Sequence, residues 1–183
     1  VYLLHGFGDD ERAWFTSGMI QYYSDQYSAE ITPMIFVMPN AHNTYYANKY
    51  NGMYPYMTML NVEMVPKIDE LFRTKNDKNH RAVMGYSMGG YGALILPALN
   101  PNVFSVGVPL SMSFRTDEQY VAEPQSVFDY QWSPIFGGIG ANGQARITDY
   151  FKQYSPFHFF ENQPSSNFSN LKLLIDCGDD EES

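Results

Sequence analysis

The sequence predicts an α/β protein, with a mostly parallel sheet and helices on both faces. Two observations predict this. Five short apolar runs, at 1–4, 34–38, 81–86, 104–110 and 171–177, are nearly continuous hydrophobic stretches, as expected of strands buried on both faces. Longer segments with helical spacing lie between them, and such alternation signals crossover connections in a parallel sheet. With 183 residues, one domain is enough to bury a sizeable core.

The first run is Val1-Tyr2-Leu3-Leu4. After it, Glu11 to about Tyr27 reads as a helix, with Asp9 or Asp10 available as N-cap. The run at 34–38 ends on Pro39-Asn40. The stretch 57–72 then places Met57, Leu60, Met64, Ile68 and Leu71 on one helical face, and Pro66 inside it predicts a kink. The run at 81–86 leads into a third helix over 88–99, small and apolar at its start. Residues 111–164 are rich in Gly, Pro and aromatics and fit no simple βα unit. They read as an insertion over the sheet, with one helix near 144–154. The chain opens directly on an apolar run and stops just after another, so it is expected to be a piece of a longer protein, truncated at both ends.

Composition narrows the function classes. Hydrophobic residues make up 44% and charged residues 17%, as in a globular protein. A net charge of −9 argues against a nucleic-acid partner, which needs a positive surface, and against adsorption to anionic membranes. No apolar run approaches the roughly 20 residues of a membrane-spanning helix. One cysteine, Cys177, excludes an internal disulfide framework.

Two motifs carry chemistry. Gly85-Tyr86-Ser87-Met88-Gly89-Gly90 matches G-x-S-x-G, the nucleophile elbow of the α/β-hydrolase fold. A strand must turn sharply into a helix there, holding Ser87 strained at the strand's C-terminal edge. Small residues two before and two after it avoid clashes, and the following helix aims its N-terminus at a developing oxyanion. The five-residue pattern alone is weak, because Gly and Ser are common in loops. Its context, Arg81-Ala82-Val83-Met84 before and Gly90-Tyr91-Gly92-Ala93-Leu94-Ile95 after, is the strand and helix that the motif requires.

The second motif is His5-Gly6-Phe7-Gly8, directly after the first run. In this fold that loop supplies one oxyanion N–H and the residue after the nucleophile supplies the other, so the expected donors are the amides of Phe7 and Met88. Glycines on both sides of Phe7 let the backbone approach a substrate closely. On this reading the insertion at 111–164 lies over the active-site edge.

These motifs, with His5 to Trp14 read as a block and Gly85 to Ala93 as another, resemble a family of esterases. It includes feruloyl and acetyl-xylan esterases, S-formylglutathione hydrolases, siderophore esterases and the antigen 85 mycolyl transferases. Pro39-Asn40 and Ile175-Asp176-Cys177-Gly178 extend the resemblance along nearly the whole chain. Trp14 points to the feruloyl-esterase branch. The formylglutathione branch usually carries Cys in the oxyanion loop and His before the serine, where Phe7 and Tyr86 stand here. The resemblance implies a serine carboxylic-ester hydrolase without cofactor or metal, acting on feruloyl or acetyl esters of plant polysaccharide. A secreted or periplasmic location would suit that substrate. The oligomeric state is left open.

The resemblance also implies an acid just after the last run. Relatives carry Asp three residues after the glycine, where Glu181 stands; Asp is the commoner residue in the role, and Asp180 is preferred narrowly over Glu181. The fold's order of Ser, acid, His puts the general base after Glu182, beyond this sequence. His5 is expected to brace its loop, and His42, His80 and His158 precede the acid. Asp9-Asp10-Glu11 and the terminal acidic run lack a metal-ligand pattern, and acids at a helix start are expected as caps.

Trp14 is the best candidate for a substrate contact, and tyrosines 45, 46, 50, 54 and 56 could line a cleft or fill core. Other functions are an acyltransferase with the same chemistry, an S-formylglutathione hydrolase, or a non-catalytic binding module. The last is disfavoured by the intact serine and elbow glycines.

Overall fold

A computed structural model describes residues 1–178. Its centre is a parallel four-stranded sheet, β1 (Tyr2–Leu4), β2 (Ala82–Ser87), β3 (Val106–Met112) and β4 (Lys172–Leu173), in that spatial order. The run at 34–38 lies along the free side of β1: Leu3 N–H donates to the Val37 carbonyl (2.8 Å), Val37 N–H to that of Val1 (2.9 Å), and the Val1 ammonium to that of Ile35 (2.7 Å). Among the described residues the expected strand is a single bridge, Tyr2 to Val37.

That bridge matters for the site. The chain runs from β1 outward to Val37, then crosses back to β2 on the other side of β1. The strand order therefore reverses between β1 and β2. Loops leaving their C-terminal ends diverge there, and the crevice between them is where open α/β sheets bind ligands.

The expected β3 slips two residues along the chain, to 106–112. The last run forms an edge: N–H groups of Lys172, Leu174 and Asp176 donate to the carbonyls of Ser105, Gly107 and Pro109. Among the described residues Leu174 and Ile175 are exposed.

The helices are more broken than the periodicity predicts. The stretch 11–27 splits into Ala13–Thr16 and Ile20–Gln26. Gly18 sits so close to Trp14 that an added Cβ would lie 2.9 Å from the Trp14 carbonyl oxygen, and Met19 takes φ 49°. Around Pro66, the chain runs as Tyr56–Met59, a π turn at Leu60–Met64, and Val65–Leu71. Proline lacks an N–H and clashes with the carbonyl four residues back, and the wider turn relieves that clash. The helix expected near 144–154 is a 3₁₀ turn, Gly143–Arg146, followed by Asp149–Tyr154, whose cap Thr148 accepts from Phe151 N–H (3.0 Å).

The helix Met88–Leu99 is apolar all round and buried from Met88 to Ala98, as befits a helix enclosed between sheet and further structure. Residues 113–160 form that outer layer. Phe114 stacks on Tyr91 of the helix (4.4 Å, 5° between planes) and on Phe151 (5.8 Å), while Trp132, Phe136 and Tyr120 complete the cluster. Burying each large ring contributes about 1.5–3 kcal/mol. Arg146, also buried, gathers the carbonyls of Tyr120, Val121, Glu123 and Ala141.

Candidate active site

Ser87 ends β2 and caps the buried helix at φ 53°, ψ −119°, a left-handed conformation that costs a non-glycine residue about 1–3 kcal/mol. Such strain persists only where the surroundings impose it, and two glycines show how. A Cβ on Gly85 would lie 2.2 Å from the Gly89 carbonyl oxygen, and one on Gly89 would lie 2.3 Å from the Leu4 oxygen and 2.8 Å from the His5 oxygen. The elbow is thus pressed against the end of β1, where the His5–Gly8 loop departs. On the other side Ser113 N–H donates to the Ser87 carbonyl (3.1 Å), past a register shift between Tyr86 and Ser87.

Gly89→Ala is expected to lower stability by roughly 3 kcal/mol, because backbone rather than side chain must move. Gly8→Ala, at φ 83° with nothing within 4 Å, is expected to cost only about 1–2 kcal/mol. Urea unfolding of the two variants checks the order, and a larger loss at Gly8 would contradict the close-packed elbow.

Residues 6–9 form a tight turn, closed by Asp9 N–H donating to the Gly6 carbonyl (3.2 Å), with Gly8 supplying the positive φ. Phe7 stands at its second position. Among the described residues, neither the Phe7 amide nor the Met88 amide donates to a protein acceptor. Met88 opens its helix, where the first N–H groups lack intrahelical partners. The next amide in the turn, Gly8, is taken by Asn43 Oδ1 (2.8 Å).

His5 is buried beneath the turn. Its Nε2 accepts the Ala41 N–H (3.0 Å), which leaves Nδ1–H to donate to the Gly6 carbonyl (2.8 Å). Both ring nitrogens are engaged with backbone, so the imidazole fixes the loop. His80 pairs with Asp77 (2.7 Å) and His158 with Asp117 (2.9 Å); His42 is exposed, and no described imidazole bonds to Ser87.

Trp14 is only 8% exposed, with its indole N–H donating to the Leu4 carbonyl (2.9 Å) and its ring against Tyr86 (5.5 Å). Any substrate contact it makes is therefore through the ring. Neither Asp9 nor Asp10 caps the helix as expected, because it starts only at Ala13 with Arg12 as N-cap and no side-chain cap. Asp10 accepts the Arg12 N–H (2.8 Å) and Asp9 accepts from the Tyr86 hydroxyl (2.6 Å). Burial, then the Asp9 bond, pushes the Tyr86 phenol up to about 12, so it stays a donor at neutral pH.

The tyrosines divide. Tyr45, Tyr46 and Tyr56 are core, while Tyr50 and Tyr54 are exposed. Tyr45 backs Phe7 from the core, its ring at 6.0 Å and its hydroxyl accepting from Gln131. The ring of Phe7 also meets Tyr130 at 6.1 Å. Tyr130 and Gln131 lie in the insertion, where no periodicity or motif marks them. Asp180 and Glu181 lie outside the described residues. Asp176 pairs beside Leu110 on β3, whose Met112 lies opposite Ser87.

A parallel sheet with a strained serine at a strand–helix elbow, beside two unengaged amides at the switch point, defines an α/β-hydrolase. The family model described as "Putative esterase" matches residues 1–183, and the chain belongs to that family. An endo-1,4-beta-xylanase/feruloyl esterase from Xylanibacter ruminicola is 30% identical over 145 residues, covering 76% of this chain and 19% of that protein. Among solved structures, the substrate-bound Staphylococcus aureus serine hydrolase FphF superposes with a TM-score of 0.69 at 25% identity, over 97% of this chain and 63% of that one. The S. aureus S-formylglutathione hydrolase FrmB does so with a TM-score of 0.69 at 23% identity, again over 97% and 63%. The chain thus spans under two thirds of each relative's length.

Proposed function

We propose that this chain carries the nucleophile and oxyanion donors of a serine carboxylic-ester hydrolase. The observation that supports it best is Ser87 in its left-handed elbow, pressed against the loop that bears the unengaged Phe7 amide. Ser87 Oγ attacks the ester carbonyl carbon, its proton passes to a histidine outside the described residues, and the carbonyl electron pair moves onto oxygen. The Phe7 and Met88 amides hold that oxyanion. Collapse expels the alcohol, which takes the proton, and leaves an acyl-enzyme that water cleaves by the same steps. Asp180 orients the histidine in this reading, with Glu181 as its rival.

For the acyl group, the pair of Phe7 and Tyr130 rings favours an aromatic acid such as ferulate, in line with the name of the Xylanibacter relative. Tyr130 is 70% exposed, so an acyl ring can pack on it without unfolding the core. Aromatic pairs contribute about 0.5–1.5 kcal/mol beyond burial. In the whole protein, Tyr130→Ala is expected to raise KM for methyl ferulate about tenfold and to leave p-nitrophenyl acetate within about twofold. Equal effects on both esters, or S-formylglutathione as the preferred substrate of the wild type, would sink the aromatic-acyl reading.

A further inference from the structure

The oxyanion turn and the nucleophile elbow belong to segments far apart in sequence, and a fixed distance between them is what an oxyanion hole requires. On the side away from the elbow, the turn is tied to the 40–43 loop. Asn43 holds the Gly8 amide, Ala41 N–H donates to His5, and Asn40 Nδ2 donates to Glu11 (2.6 Å). None of these three bonds reaches the elbow.

Tyr86 does reach across. It precedes Ser87, and its hydroxyl donates to Asp9, the last residue of the turn, at 2.6 Å. A hydrogen bond to a carboxylate is about twice as strong as a neutral one. The ring lies flush on Gly6, where an added Cβ would sit 2.8 Å from Cε2, and Trp14 backs it edge-on. Trp14 is itself tied to the end of β1 through Leu4. Gly6, Asp9 and Trp14 therefore all register on one side chain that shares a peptide bond with Ser87.

We propose that Tyr86 and Asp9 form a latch that fixes the Phe7 amide relative to Ser87, making Tyr86 a positioning residue for the oxyanion hole. This rests on the assignment of Ser87 as nucleophile with Phe7 and Met88 as donors. The latch acts on the transition state rather than on substrate affinity, because the oxyanion exists only once Ser87 has attacked. Losing a whole oxyanion donor costs about 10²–10³ in turnover, and a displaced donor is expected to cost part of that.

The test uses the whole protein, with a boronic acid as probe, because it forms a tetrahedral adduct on the serine. Tyr86→Phe keeps the ring on Gly6 and removes only the hydroxyl. Its kcat is expected to fall about ten- to thirtyfold with KM within about twofold, and boronate affinity to fall by the same factor. Asp9→Ala should match it, Asp9→Asn should recover most of the activity because its amide oxygen still accepts, and the double variant Tyr86→Phe/Asp9→Ala should be no worse than either single. If Tyr86→Phe is too unstable to assay, Asp9→Ala on the exposed turn gives the same reading.

Wild-type kcat in Tyr86→Phe or Asp9→Ala, losses that multiply in the double variant, or a rise in KM alone would overturn the latch. Complete fluorophosphonate labelling at Ser87 in the variants keeps the nucleophile assignment apart from this result. Failure to label Ser87 in the wild type would overturn both.

Discussion

Ser87→Ala in the whole protein is expected to abolish ester hydrolysis, with turnover falling about 10⁶-fold while the fold persists. In the proposed mechanism the hydroxyl oxygen forms the new bond, so no neighbour can replace it. Alanine relieves nothing at the elbow, because the left-handed backbone is imposed by contacts of Gly85 and Gly89 that remain. Thermal unfolding should therefore hardly move. Residual activity within about tenfold of the wild type, in a folded protein, would remove Ser87 from the mechanism.

Asp180→Asn is expected to cost about 10⁴ in turnover, because an asparagine holds the histidine in the wrong tautomer and cannot stabilise the imidazolium. Glu181→Gln is expected to stay near wild type. The sheet gives this prediction its footing: Ser111 N–H donates to the Asp176 carbonyl (2.8 Å), so the chain leaves β4 beside the end of β3, on Ser87's edge. A large loss confined to Glu181→Gln would transfer the role to that residue.

Parts of this site are legible in the sequence because they depend on local backbone sterics. Gly85 and Gly89 flank Ser87 for the same reason in the motif and in the structure, namely that a Cβ at either position would strike backbone. The apolar runs likewise give the parallel sheet, since burial between layers leaves few polar positions. One exception has a physical cause. The periodic stretch 11–27 breaks at Gly18 and Met19, where Trp14 crowds the chain.

What the sequence hides is contact between distant segments. Asp9 reads as a cap until its carboxylate is seen to accept from Tyr86, and Trp14 reads as a cleft residue until its indole N–H is found on Leu4. Tyr130 offers no signal, because its partner Phe7 lies on another loop and the segment around it follows neither strand nor helix periodicity.

The outer layer has a consequence for motion. Phe114 joins residues 113–160 to Tyr91 in the buried helix 88–99, the Tyr91 hydroxyl donates to the Tyr154 carbonyl (2.7 Å), and within the layer Arg146 ties together the carbonyls of Tyr120 and Glu123. Lifting this layer would expose the stacked faces of Phe114 and Tyr91 and break the Tyr91–Tyr154 hydrogen bond. Its free energy of opening therefore approaches that of global unfolding, and backbone amides in both layers should exchange with deuterium as one cooperative unit. On the proposed function, side chains at the rim such as Tyr130 are the ones left free to adapt to different acyl groups. The scaffold can then exchange substrates by point substitution at the rim without loosening the backbone that strains Ser87.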